Sequence, residues 1–229
     1  FNTLNPKSVS QNAAYYQMHR DKEEGKKALN RVFHLLTKSK SSAPTGLEKL
    51  IPLLNRPPYE ETPLLNHEEL VLTDQMGQSL HNRKLKGFRI KAEENVLTLS
   101  AEEVDLARGL LLSQNAPENK IRSYEAILDL MALQIQARLP PTPSPEQTIE
   151  AMNQFIFHDF EYRFPPHSLY IEDIDEYTFL PSVLDSRRGV CLGVSILYVC
   201  LAQRIGFHLE LVTPPGHIYV RYREGDKTI

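Results

Sequence analysis

The sequence predicts an α+β fold, and three observations carry that prediction. Apolar residues recur at helical spacing over most of the chain up to Ile205. The hydrophobic period changes after Gly206, and the two stretches beyond it read as strand, turn, strand. A helical N-terminal half is therefore expected to pack on a core containing a small antiparallel sheet.

The elements follow in order. From Asn12 to about Lys38 the apolar positions Tyr15, Met18, Ala28, Val32, Leu35 and Leu36 predict one long or two short amphipathic helices. The stretch SKSSAPTG (39–46) breaks this pattern, LEKLIPLLN (47–55) makes another short helix, and RPPYEETP (56–63) breaks the chain again. GFRIKAEENVLTLS (87–100) alternates weakly and has room for a short strand or two. Ser100 followed by Glu103 reads as a capping box that opens a helix with Val104, Ala107, Leu110 and Leu111 on one face. The next helix, ENKIRSYEAILDLMALQIQARL (118–139), is ended by PPTPSP (140–145) and should form a hairpin with the preceding one. A further helix starts near Pro145 and runs through EQTIEAMNQFIFHDF. After a loop rich in acids and aromatics (159–176), YTFLPSVLDSRRG leads into a strongly apolar helix that ends near Ile205-Gly206. FHLELVTP and HIYVRYR are then the strands, with Pro214-Pro215-Gly216 turning between them and Glu224-Gly225-Asp226 turning after. No repeat of fixed period emerges, which argues against a solenoid.

Charge and cysteine usage narrow the partners. The chain has 26 basic and 29 acidic residues, a net charge of −3, so no overall basic field draws it to nucleic acid or to an anionic membrane. The longest apolar run lies within 190–201, too short to span a bilayer, and a cytoplasmic protein is expected. Cys191 and Cys200 fall nine residues apart on one helix, about 180° apart around its axis, so they do not pair with each other.

Cys191 stands directly after a glycine turn, at the head of the apolar helix. A thiol is a useful nucleophile only as thiolate, which a helix N-terminus and a neighbouring imidazole both favour. Cys191 has the first by position, and its backbone amide in the first helical turn is a candidate oxyanion donor. His217 opens the second strand, where a strand packed beside the helix brings it to the helix head. Taken singly, each residue also has a structural reading, Cys191 as a small core hydrophobe and His217 as a turn residue. Cys200, in mid-helix, is assigned no role. No cofactor and no metal are expected. The acids Glu172, Asp173, Asp175 and Glu176 lack a scaffold and a histidine at ligand spacing, and there is no Walker A loop, dinucleotide fingerprint, HExxH or CxxC.

The combination RRGVCLGVSILYVCLAQRIGFHLELVTPPGHIYVRY resembles the transglutaminase-like superfamily and, within it, the SirB-type bacterial branch. AEEVDLARGLLLSQ, AILDLMALQIQARL, AMNQFIFHDFEYRF and YTFLPSVLDSRRG extend the resemblance, which covers roughly residues 100–223. It implies a papain/transglutaminase-like core and acyl transfer, in which Cys191 attacks a carboxamide or peptide carbonyl and His217 carries the proton. Many members of that branch have proline where Cys191 stands, so the cysteine sets this chain apart. Tyr177 or Tyr170 is a candidate second oxyanion donor and Asp226 a candidate orienter of His217. The third member of the triad is more readily expected on a strand beyond Ile229.

Two functions follow as expectations. One is a thiol-dependent protease, amidase or transglutaminase-like enzyme acting on a protein or peptide. The other is a non-catalytic interaction module that keeps the fold and binds a protein partner. Residues 1–99 are expected to form a helical region of unassigned role, and 100–229 a core whose sheet is incomplete at its C-terminal end. Self-association through the edge strand at 217–223 is expected from the same incompleteness.

Overall fold

The computed structural model describes residues 4–165 and 176–229. The helix predicted from ENKIRSYEAILDLMALQIQARL is the axis of the fold. It runs over Glu118–Gln136 (α7), and nearly every residue from Ile121 to Ile135 is buried, including the polar Ser123, Glu125, Asp129 and Gln134. A helix covered on all sides needs neighbours on all sides, and the earlier helices supply most of them.

The first long pattern resolves into two helices, α1 (Val9–Met18) and α2 (Glu23–Thr37). The Ser8 hydroxyl caps α1 by accepting the Gln11 N–H at 3.2 Å, and Lys38 closes α2 in a left-handed conformation. Leu47–Leu54 forms α3, and His67–Met76 forms α4 behind a capping box of Asn66 and Glu69. α2, α3, α4 and the later α6 and α10 all pack on α7. Their buried residues join one continuous apolar core that runs from Val9 to Ala202.

Between residues 87 and 113 the structure decides one open reading and corrects one expectation, the helix start at Ser100. No strand forms over 87–100; the segment holds a single helical turn, α5 (Glu93–Val96). Side chains and turns fix it where a strand partner would have done so. The buried Arg108 donates from Nε to the Ile90 carbonyl at 2.7 Å, and Gly87 N–H reaches the Glu103 carbonyl at 2.8 Å. The Ser100–Glu103 capping box exists, but it closes a 3-10 turn over Ala101–Glu103. The helix itself, α6 (Leu106–Ser113), starts later, with Asp105 accepting the Arg108 N–H at 3.2 Å as its cap.

Ser144 and Gln147 form a further capping box around Pro145, and α8 runs over Pro145–Asn153. The chain then widens into a π-helical turn, Gln154–Asp159, which buries Phe155 and Ile156. α9 (Leu180–Ser186) and α10 (Cys191–Ile205) follow, and Gly206 ends α10 with φ of 77°, a conformation that glycine adopts without strain.

The sheet is small. β1 (Glu210–Val212) and β2 (Tyr219–Arg221) are antiparallel, with Glu210 opposite Arg221 and Val212 opposite Tyr219, and β2 packs on α10. β3 (Arg223–Glu224) and β4 (Lys227–Thr228) form a second, two-stranded hairpin.

A network of buried ions ties α4, α6, α7 and α10 together, unannounced by any sequence pattern. The fully buried Arg204 of α10 donates to Asp129 of α7 at 3.0 Å and lies 3.9 Å from Asp105. Asp129 also accepts from Arg83, while Asp74 of α4 receives Arg83, Arg89 and Arg122. A second node is Asp185 of α9. It accepts from Arg56, from the Thr62 amide at 3.0 Å and hydroxyl at 2.6 Å, and from the Tyr124 hydroxyl at 2.6 Å. That node fastens the segment between α3 and α4 to the helix that precedes Cys191.

Candidate functional site

The turn from α9 into α10 is pinned by backbone hydrogen bonds. Arg163 N–H donates to the Arg187 carbonyl at 3.1 Å, Gly189 N–H to the Arg163 carbonyl at 3.2 Å, and Val190 N–H to the Tyr177 carbonyl at 3.0 Å. The left-handed residue in this turn is Arg187, with φ of 54°, whereas Gly189 has no positive φ. Glycine is needed there for space, since a Cβ on Gly189 would stand 2.8 Å from the Val194 side chain. Close packing, rather than a left-handed backbone, is what the structure asks of this glycine.

Cys191 is the first residue of α10, with Val190 as the cap, and its side chain is half-buried. First-turn amides have no partner within their own helix, so the head of α10 offers donors to an incoming oxyanion. His217 follows the Pro-Pro-Gly turn, and its N–H donates to the Pro214 carbonyl at 3.2 Å. Its ring is exposed and lies beside that of Tyr219, centroids 6.3 Å apart.

Both residues line one cleft of about 560 Å³ between the end of α8, the head of α10 and the β1–β2 hairpin. Among the described residues no hydrogen bond joins the Cys191 thiol to His217. The cleft wall is largely apolar and aromatic, with Phe157, Phe164, Leu209, Ile218 and Tyr219 among its residues. Asn153, Ser195 and Tyr198 add polar groups to the same wall. The Tyr198 hydroxyl donates to Asn153 Oδ1 at 3.1 Å, which engages the oxygen of the amide and leaves its NH₂ as a donor.

The other sequence candidates stand elsewhere. Tyr177 is outside the cleft lining, and its carbonyl sits behind the helix head, where a Cβ on Gly193 would approach it to 2.4 Å. Asp226 is exposed in the turn between β3 and β4, also outside the lining. Tyr170 and the acids Glu172, Asp173 and Asp175 lie outside the described residues; Glu176 is exposed. No three His, Cys, Asp or Glu side chains come together as metal ligands among the described residues. Cys200 is fully buried, and burial pushes its thiol up to about 12, so it stays protonated and unreactive in the folded chain. Both cysteines are free.

Asn153, Ser195 and Tyr198 were missed in the sequence. Ser195 and Tyr198 follow Cys191 by four and seven residues, one face of α10, so helical spacing from the cysteine would have found them. Asn153 has no such signal, because nothing marks out a single amide between Met152 and Gln154 at the end of α8.

No helix among the described residues is long and apolar enough to cross a membrane. No curated protein matches the chain, and no solved structure matches it either. Residues 122–229, from α7 through the cysteine helix and both hairpins, match the family model of the transglutaminase-like superfamily.

Proposed function

We propose that this chain is a thiol-dependent acyl-transfer enzyme, a protease, amidase or transglutaminase-like protein, with Cys191 as nucleophile and His217 as general base. The observation that supports this reading best is that Cys191, at the first position of α10, and His217, at the mouth of the hairpin, open on the same cleft. In the reaction the Cys191 sulfur attacks the acyl carbon while His217 takes the thiol proton. The carbonyl oxygen becomes an oxyanion facing the first-turn amides of α10. Collapse of the tetrahedral intermediate breaks the bond to the amine, which leaves with the proton from His217, and a thioester remains on Cys191. Water or a second amine then attacks that thioester and releases the cysteine, with His217 again carrying the proton.

An oxygen that accepts from the imidazole and orients it completes this reading. The Asn153 oxygen already accepts from the Tyr198 hydroxyl, so that acceptor falls to another group, and Asp226 would have to approach from the hairpin turn. The reading includes membership of the SirB-type bacterial branch and a reducing compartment such as the cytoplasm, in which a free thiol persists.

A second reading, a non-catalytic protein-interaction module, is favoured by the exposed imidazole and by the lack of a Cys191–His217 hydrogen bond among the described residues. Turnover of a broad library of peptide and carboxamide acyl donors separates the two. Turnover that disappears in Cys191→Ala supports the enzyme. Absence of turnover in the unaltered chain supports the module.

A further inference from the structure

A second hollow, of about 500 Å³, lies between α4, the 3-10 turns that follow it and α7, and it shares no lining residue with the Cys191 cleft. Asp74 of α4 stands in its wall and accepts from Arg83 at 3.4 Å, from Arg122 of α7 at 2.7 Å and from Arg89. Among the described lining residues it is the one carboxylate, facing three guanidiniums. The acids further inward do not make up the difference. Asp129 receives Arg83 but is shared with Arg204. Glu125 lies 3.8 Å from Arg89 and 3.5 Å from Arg122 and has no hydrogen-bond partner. Burial pushes its carboxyl up to about 8, so near neutral pH it brings little negative charge to the arginines above it.

The guanidiniums are held in place before any ligand arrives. Arg83 donates from Nε to the Gly77 carbonyl at 3.3 Å, and the guanidiniums of Arg83 and Arg89 stack on the Phe88 ring, 4.6 and 4.7 Å from its centre. Arg89 reaches this position from a left-handed backbone, φ of 65°, which a residue with a side chain seldom adopts. Nη1 of Arg83, Nε of Arg89 and Nη1 of Arg122 have no hydrogen-bond partner among the described residues. The three side chains keep 13, 24 and 21% of their surface exposed, so these donors remain within reach of a ligand in the hollow.

Donors that converge from three segments of chain suit a ligand whose oxygens point in several directions. A carboxylate presents two oxygens in one plane, which Asp74 already supplies. A phosphate group presents three free oxygens and a charge of about −1.5 to −2, and guanidinium forks match it. We propose that the hollow between α4 and α7 binds the phosphate group of a small molecule, either free phosphate or a phosphate monoester, on the guanidiniums of Arg83, Arg89 and Arg122. Val71 and Phe88 in the same lining give the organic part of an ester an apolar contact. The binding requires no chemistry at Cys191 and is independent of the acyl-transfer reading.

The test is calorimetric titration of the unaltered chain at low ionic strength with inorganic phosphate, phenyl phosphate and benzoate. Saturable binding of phosphate at one site is expected, with benzoate at least about tenfold weaker. Tighter binding of phenyl phosphate than of inorganic phosphate assigns the site to an ester, and the reverse order assigns it to the free ion. Arg122→Gln should weaken phosphate binding at least about tenfold. Asp74→Asn removes the acid that competes for the same guanidiniums, so it should tighten phosphate binding by about tenfold while it destabilises the unliganded chain. If the arginines serve only to hold α4 to α7, that substitution loosens them and the affinity does not rise. Since either variant can fail to fold, side-chain NMR of the unaltered chain with nitrogen-labelled arginine gives a second readout. Phosphate should shift the signals of Arg83, Arg89 and Arg122 and leave that of the exposed Arg223 in place. No saturable phosphate binding, equal shifts at Arg223, or unchanged or weaker affinity in folded Asp74→Asn overturns the proposal. Benzoate bound as tightly as phosphate overturns the choice of phosphate.

Discussion

Val190 donates its backbone N–H to the carbonyl oxygen of Tyr177 at 3.0 Å, and the same oxygen stands 2.4 Å from where a Cβ on Gly193 would be. The segment before α9 thus lies directly on the first turn of α10, with no room for a methyl group between them. Gly193→Ala must push the Tyr177 carbonyl or the helix head aside. We expect it to cost about 1–3 kcal/mol in urea unfolding and to change the alkylation rate of Cys191, two residues away. An unchanged midpoint and rate would mean that the two segments are free to move apart.

Asp185 holds Arg56, Thr62 and Tyr124 at once, with little exposure of its side chain. Asp185→Ala leaves a buried guanidinium without its acid and is expected to destabilise the chain by about 3–5 kcal/mol. It should also open the segment between α3 and α4 to limited proteolysis. Cleavage there no faster than in the unaltered chain would show that the node does not fasten this segment.

Glu125 lies on α7 beneath Arg89, Arg108 and Arg122, but at 3.8, 3.5 and 3.5 Å, and neither of its oxygens has a hydrogen-bond partner. Burial therefore pushes its carboxyl up to about 8, against the pull of Arg108. In the unfolded chain the same group titrates near its ordinary value of 4.5. Between those two pH values the folded state holds a proton that the unfolded state has lost, so stability present below about pH 4.5 declines as the pH rises to about 8. Glu125→Gln should flatten this part of the stability profile and raise the unfolding midpoint at pH 8. A slope equal to that of the unaltered chain would show that Glu125 is not its source.

The helices and the strand-turn-strand ending were legible because apolar period and turn chemistry are local properties of a sequence. The order of α7, α8, α10 and the hairpin was readable from these alone, as was the position of Cys191 at the head of α10. Residues 56–98 were not, because their conformation depends on distant side chains: Arg108 on Ile90, Asp185 on Thr62, and the arginines gathered around Asp74. A buried ion such as Arg204 looks in sequence like a polar residue on a helix face, and only tertiary packing brings it to Asp129. The two candidate site residues could be named from motif order. The cleft between them, its aromatic wall and Asn153 depend on how α8 meets α10, which no spacing records.

Activation of Cys191 by His217 is read from the rate of thiol alkylation. Iodoacetamide modification between pH 6 and 8, assigned to each cysteine by mass spectrometry, would be followed in the unaltered chain and in His217→Ala. Cys191 is expected to react at least about tenfold faster than the buried Cys200, and His217→Ala to slow Cys191 by a similar factor with the circular dichroism spectrum unchanged. Equal Cys191 rates in the two folded proteins, or equal rates for Cys191 and Cys200, would contradict that activation.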